Sequence, residues 1–215
     1  NYLTLIAIKN LFMNPNHKAI ITPEELKDII NNDDVKIYDV RTGPNAEQDY
    51  LNQHISNANF VSLEKDLSNI NDYKNGGRHP LPDVNQFIKI IEKLGISEID
   101  HVIIYDDKNG ANAAARFWWM LKSIGHNNVQ VLDGGLQNAI SQGIETSSGQ
   151  DNYKPSNYPQ IVKWQLPTVD IHTVEQATKD NKKIIIDVRE NYRYNGESEP
   201  IDLVAGHIPN AVNLP

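Results

Sequence analysis

Between residues 22 and 143, segments with the apolar spacing of helices alternate with short continuous apolar runs. Thr22-Pro23-Glu24-Glu25 is a capping box with proline at the first helical position, and Leu26, Ile29 and Ile30 then share one face, which predicts a helix. Residues 35–40 read as a short, largely apolar strand with a carboxylate near its end, and residues 60–63 as a second strand. Over 83–94, Val84, Phe87, Ile88, Ile91 and Leu94 recur at helical spacing with Gly95 as the stop. The unbroken apolar run 102–105 fits a strand covered on both faces. Residues 113–124 predict an apolar helix closed by Gly125, 129–132 a strand, and 136–141 a short helix before Gly143. Strands alternating with helices imply an α/β fold whose mainly parallel sheet carries helices on both faces. Such sheets build their sites at the carboxyl ends of strands, which directs attention to Tyr105-Asp106-Asp107.

The pattern is partly duplicated. Ile37-Tyr38-Asp39-Val40-Arg41 recurs as Ile185-Ile186-Asp187-Val188-Arg189 at an offset of 148, and His54-Ile55-Ser56-Asn57-Ala58 as His207-Ile208-Pro209-Asn210-Ala211 at an offset of 153. Two blocks in one order imply two homologous domains, the second incomplete, with five residues inserted in the later copy and Val61 aligned on Leu214. The expected organisation is a leader over 1–17, a first domain over 18–145, a surface linker over 146–167 with Trp164 as its anchor, and the start of a second domain over 168–215. The leader is apolar but interrupted by Lys9 and Asn10, and no cleavage signal follows its short apolar run.

Composition narrows the chemistry. Twenty Lys and Arg against 28 Asp and Glu give a net charge of −8 without a basic stripe, which argues against a nucleic-acid partner. No apolar run reaches membrane-spanning length, so no membrane partner is expected. The complete absence of cysteine removes disulfides, zinc–thiolate sites and any thiol nucleophile from these 215 residues. His54 and His207 are expected to fix turns. His17, His101, His126 and His172 are scattered, so neither metal nor cofactor is expected. Asp39 with Arg41, and Asp187 with Arg189, sit at strand ends and are expected to hydrogen-bond the loops that follow. Trp118 and Trp119, on a helix with Met120 and Leu121, are expected to pack. The turn 106–111, with Gly110 before a helix, could form a backbone anion cradle in which a thiolate would have a depressed pKa. Asp106 and Asp107 stand there instead, and by themselves they also read as helix caps that neutralise the dipole.

Seven pieces in order, Asp39-Val40-Arg41, His54-Ile55, Arg78-His79-Pro80-Leu81-Pro82, Ile104-Tyr105-Asp106, Arg116-Phe117-Trp118-Trp119-Met120-Leu121, Leu132-Asp133-Gly134-Gly135-Leu136 and Gly206-His207-Ile208-Pro209-Asn210-Ala211, resemble the tandem-domain rhodanese family. That family comprises thiosulfate and 3-mercaptopyruvate sulfurtransferases. The resemblance implies a rhodanese-like fold in which the first domain is a non-catalytic copy, with Asp106 marking its degenerate active-site loop. It also implies a catalytic cysteine in the second domain, which the repeat offset locates near position 259. There the thiolate would take sulfur from thiosulfate or 3-mercaptopyruvate as an enzyme persulfide and pass it to a thiol or cyanide, without a cofactor and in the cytoplasm. The 215 residues alone cannot form that persulfide. By the same resemblance Arg193 holds the small anionic donor, its alternative being an exposed loop arginine. Glu64 and His79 contribute from the first domain to a serine beside the cysteine, their alternatives being a solvated loop carboxylate and a loop histidine fixed between Arg78 and Pro80. Mercaptopyruvate enzymes usually carry a further arginine where this chain has Ile201, which tilts the donor towards thiosulfate. Two readings compete: a non-catalytic rhodanese-like binding or regulatory module, and a phosphatase on the same fold, which would itself need a cysteine in the loop.

Overall fold

The computed structural model describes residues 18–69 and 77–215; the expected leader and His17 lie outside the described residues. Two compact units are present, the first ending at Leu166 and the second running from Pro167 to Pro215. The first contains β1 (Ile20–Ile21), α1 (Pro23–Ile29), β2 (Val35–Asp39), α2 (Ala46–Asn52), β3 (His54–Ile55), β4 (Asn59–Phe60), α3 (Val84–Lys93), β5 (His101–Tyr105), α4 (Ala113–Ser123), β6 (Val129–Leu132), α5 (Gly135–Ser141) and β7 (Thr146–Ser147). Its main sheet has the order β1-β6-β5-β2-β4 with every pairing parallel, as the alternation of strands and helices predicts.

Period-two alternation along these strands divides the core between the two faces. Tyr38, Val102, Ile104, Val129 and Val131 join Val84, Phe87, Ile88 and Ile91 of α3 and Phe117, Met120 and Leu121 of α4 in one buried cluster. Val35, Ile37, Ile103, Tyr105 and Leu132 join Leu26 of α1 and Leu136 and Ala139 of α5 in the other. Both faces are therefore covered by helices. The capping box of α1 is formed: Glu25 N donates to Thr22 Oγ1 at 3.2 Å, and Thr22 N to Glu25 Oε2 at 3.0 Å.

One local expectation needs correction, and one helix went unread. The strand expected over 60–63 is instead Asn59–Phe60. Val61 N still donates to Asp39 O at 2.9 Å, but Ser62 N turns to the Asp66 carboxylate at 2.9 Å and the chain leaves the sheet. Helix α2 has no counterpart in the apolar pattern, because Tyr50 is its only buried residue and no 3.6-residue period can be read from one position.

The polar segment read as a linker lies on the first unit. Thr146–Ser147 pairs antiparallel with His54–Ile55. Tyr153 Oη donates to Asn57 O at 2.7 Å, and Trp164 packs on Phe87 and Trp119 with centroids 5.3 and 6.1 Å away. Trp118 also packs against the core and donates Nε1–H to Val129 O at 3.1 Å.

Tyr158 meets His126, a buried imidazole whose Nε2 faces Asp100 O at 3.1 Å and whose Nδ1 faces the Tyr158 hydroxyl at 3.1 Å. A carbonyl only accepts, so Nε2 carries the proton and Nδ1 accepts from the phenol. Burial, opposed by the Asp100 carbonyl, depresses the His126 pKa from 6.5 to about 4. Well above pH 6.5 the ring is neutral in both the folded and the unfolded chain. Between 6.5 and about 4 only the unfolded chain takes the proton, so stability falls as the pH falls. The loss should total about 3 kcal/mol, and His126→Gln should remove most of this slope in urea titrations from pH 7 to 4. An unchanged slope in the variant would assign the acid sensitivity elsewhere.

The second unit contains α6 (Ile171–Ala177), β8 (Ile185–Asp187), α7 (Asn191–Tyr194) and β9 (Ala211–Asn213), with β8 and β9 parallel. Its local contacts reproduce those of the first unit. His54 Nδ1 faces Tyr50 O at 2.8 Å with the two rings stacked 4.1 Å apart, and His207 Nδ1 faces Tyr194 O at 2.7 Å with rings 3.8 Å apart. Tyr50 Oη donates to Ala58 O, and Tyr194 Oη to Ala211 O. Val61 N donates to Asp39 O, and Leu214 N to Asp187 O, each at 2.9 Å. Asn57 and Asn210 both have a positive φ, 66° and 61°. The net five-residue insertion divides: the second copy has four fewer residues between the arginine and the tyrosine, and nine more between the tyrosine and the histidine.

Candidate functional site

Because β2, β4, β5 and β6 are parallel, their carboxyl ends share one edge of the sheet, and the loops leaving them collect there. At the end of β5 the Asp106 side chain is buried inside its own loop. Oδ1 accepts from Lys108 N and Gly110 N, both at 2.8 Å, and Oδ2 from Ala114 N at 3.1 Å and Asn112 N at 3.4 Å. Asn109 and Gly110 have φ of 57° and 80°, the left-handed turn that aims successive N–H groups inward. Gly135 at the start of α5 allows this approach, since a Cβ there would lie 2.3 Å from Asp106 O. The cradle foreseen in the sequence is thus built, and a carboxylate of the protein fills it. Asp107, the other candidate cap, is exposed and sits 3.8 Å from Lys108 Nζ.

Asp39 and Arg41 bond the loop after β2 as expected. Arg41 N donates to Asp39 Oδ1 at 3.0 Å, Nε to both carboxylate oxygens, and Nη2 to Gln53 O at 2.8 Å. Asp187 and Arg189 repeat the set, with Nη2 donating to Gly206 O at 2.6 Å.

Glu64 and His79 come together at the same sheet edge, with His79 Nε2 3.9 Å from Glu64 Oε1, close enough for an ion pair but too long for a hydrogen bond. Ser62 Oγ donates to the other Glu64 oxygen at 3.3 Å. Arg116 of α4 holds this loop by donating to Leu67 O at 2.8 and 3.1 Å and to Pro80 O at 3.3 Å. Burial and the neighbouring Arg78 and Arg116 cations lower the His79 pKa against the pull of Glu64, favouring a neutral imidazole that can accept a proton.

Arg193 is buried rather than displayed on a loop. Its Nε donates to both Glu199 oxygens at 3.1 Å, and its Nη2 lies 2.9 and 3.0 Å from them and 3.0 Å from Asp202 Oδ2. Glu199 and Asp202 were not foreseen from the sequence; their only signal there is a pair of carboxylates six and nine residues after the arginine. The Glu199 side chain is only 4% exposed. Burial opposes its charge, but the Arg193 guanidinium and the N–H groups of Asp202 and Ile201 outweigh this and hold the carboxyl below its ordinary range.

Among the described residues, no group of three or more His, Asp or Glu side chains has the arrangement of a metal site, and no helix is long and apolar enough to cross a membrane. A profile of the rhodanese-like domain matches residues 22–142. A putative thiosulfate sulfurtransferase, SseB of Mycobacterium tuberculosis, is 36% identical over 208 residues, which cover 92% of this chain and 70% of that protein. A probable 3-mercaptopyruvate sulfurtransferase of Pseudomonas aeruginosa is 36% identical over 163 residues, covering 75% of this chain and 57% of its own length. The crystal structure of SseA from Escherichia coli, described as a 3-mercaptopyruvate sulfotransferase with the rhodanese fold, matches with a TM-score of 0.77 at 29% identity. That match covers 93% of this chain and 75% of the other. The 3-mercaptopyruvate sulfurtransferase of Leishmania major gives 0.80 at 28% identity, and the match spans 56% of that chain.

Proposed function

Since the chain belongs to the rhodanese family, we propose that it forms the first domain and the opening of the second in a tandem-domain sulfurtransferase. The enzyme would carry sulfur from thiosulfate or 3-mercaptopyruvate to a thiol or to cyanide. The observation that carries this reading is the cradle at Asp106. An assembly of inward N–H groups at a helix start stabilises an anion, and in a catalytic copy that anion would be a cysteine thiolate. A carboxylate in its place makes the first unit the non-catalytic copy. The recurrence of the Asp-Arg and Tyr-His contact sets supports a second copy. In the first copy the strand that leads into the cradle pairs with β2, and the offset of 153 puts the matching cradle residue near position 259.

In the proposed reaction that thiolate attacks the outer sulfur of thiosulfate. A new S–S bond forms, the original one breaks, and sulfite leaves with its electron pair. With 3-mercaptopyruvate the broken bond is carbon–sulfur, and the carbon needs a proton, a task for which Glu64 and His79 are candidates. Arg193 would take the negative end of either donor. Ile201 offers no second guanidinium for a mercaptopyruvate carboxylate, which favours thiosulfate.

The 215-residue chain should therefore produce no thiocyanate from thiosulfate and cyanide, whereas a protein extended through a cysteine near position 259 should produce it. Turnover by the cysteine-free chain would overturn the mechanism. A different residue near position 259 would favour the non-catalytic binding module, which the absence of cysteine from these residues also suits.

A further inference from the structure

We propose that Glu199 is the positioning residue of the donor site, fixing the Arg193 guanidinium so that one amino group remains for the donor anion; this rests on the reading of Arg193 as the donor-binding residue. Glu199 occupies two of the three nitrogens of Arg193, Nε and Nη2, in a side-on fork. Among the described residues Nη1 makes no hydrogen bond, so the fork determines which edge of the guanidinium remains for a ligand. The same carboxylate anchors the rest of the site. Its Oε1 accepts from Ile201 N at 3.0 Å and Asp202 N at 3.1 Å, and its Oε2 lies 3.5 Å from Arg189 Nη1. Arg189 in turn is forked on Asp187 at the end of β8. One buried carboxylate thus links the strand end, the arginine and the loop made longer in this copy.

Asp202 has a lesser part. It touches Arg193 through Nη2 alone at 3.0 Å, and its side chain is 44% exposed, so water competes for that contact. A long side chain such as arginine has several rotamers of similar energy, and a pair of parallel hydrogen bonds restricts them where a single exposed one does not.

Glu199→Gln separates positioning from loop structure. With its carbonyl at the Oε1 place, the amide still accepts from Ile201 and Asp202, but its NH₂ then takes the Oε2 place facing two cationic arginines, so the second arm of the fork and the carboxylate charge are lost. In the 215-residue chain, the Arg193 Nε–H signal in a nitrogen–proton NMR spectrum should be resolved and slow to exchange. It should shift towards the position of free arginine and exchange faster in Glu199→Gln, and stay in place in Asp202→Asn. A resolved signal unchanged in Glu199→Gln would overturn the proposal.

In the enzyme extended to its cysteine, Glu199→Gln should lower kcat/KM for persulfide formation from thiosulfate about tenfold, and Asp202→Asn less than threefold. The rate at which cyanide discharges a preformed persulfide should stay within twofold for both variants. A merely structural role would lower both half-reactions together. If Arg193→Ala leaves donor kcat/KM intact, the donor-site reading of Arg193 falls. If Arg193→Ala lowers it and Glu199→Gln does not, only the role of Glu199 falls.

Discussion

Replacing Asp106 by alanine should lower the melting temperature by about 6–12 °C. The carboxylate is buried and accepts four backbone N–H groups, two of them at 2.8 Å. Alanine leaves these donors facing one another around a void, and a buried donor without a partner costs about 1–3 kcal/mol. Counting the two short contacts fully and the longer pair weakly gives about 3 kcal/mol, and in a chain of this size each kcal/mol shifts the transition by about 2–4 °C. The loop has little freedom to relax, because Asn109 and Gly110 already hold left-handed conformations and Gly135 backs directly on Asp106 O. Melting followed by circular dichroism would check this. Formate, which matches the carboxylate removed, should restore part of the loss in Asp106→Ala and do nothing for the parent chain, because an anion binding only the folded variant stabilises it by mass action. A variant that melts within 2 °C of the parent would mean that the cradle does not depend on its carboxylate.

In the enzyme extended to its cysteine, Arg193→Ala should reduce donor kcat/KM by about 10- to 150-fold, corresponding to the loss of one charge-assisted contact of about 1.5–3 kcal/mol. Thiosulfate and mercaptopyruvate both carry charge away from the attacked sulfur, so a guanidinium that holds that charge would act on orientation as well as affinity. Arg193→Lys keeps the charge but cannot reproduce the fork on Glu199, and it should fall between the two. The loss belongs to the donor half-reaction: single-turnover sulfite release should slow while cyanide discharge of a preformed persulfide stays near its parent rate. Equal losses in both halves would make Arg193 a structural member of the Glu199 cluster and nothing more.

Those two residues show how unevenly the site could be read in advance. The cradle is local: a strand end, a left-handed Asn-Gly pair and a helix start lie within nine residues, so neighbouring positions suffice to foresee it. The Arg193 cluster depends on where a loop closes, and the carboxylates six and nine residues downstream reach the guanidinium only once the chain between α7 and β9 has folded back. Hydrophobic period and spacing report which face of an element is buried. They carry no information about which of several nearby carboxylates an arginine will meet.

The amino-acid sequence by itself determined the α/β class, the helices α1, α3 and α4, the doubly covered strand β5, the strand β6, the duplicated strand-end motifs and the exclusion of thiol chemistry from these residues. Each of those follows from patterns only a few residues wide, or from counting. The tertiary structure decided that β4 ends at Phe60, because Ser62 prefers the Asp66 carboxylate to the ladder. It also decided that α2 forms around a single buried tyrosine, that residues 146–166 lie on the first unit, and that Glu199 rather than solvent holds Arg193. Apart from the local Ser62–Asp66 turn, the partner in these cases is a group that only chain folding brings near, and the contact gains strength as the fold excludes water from around it.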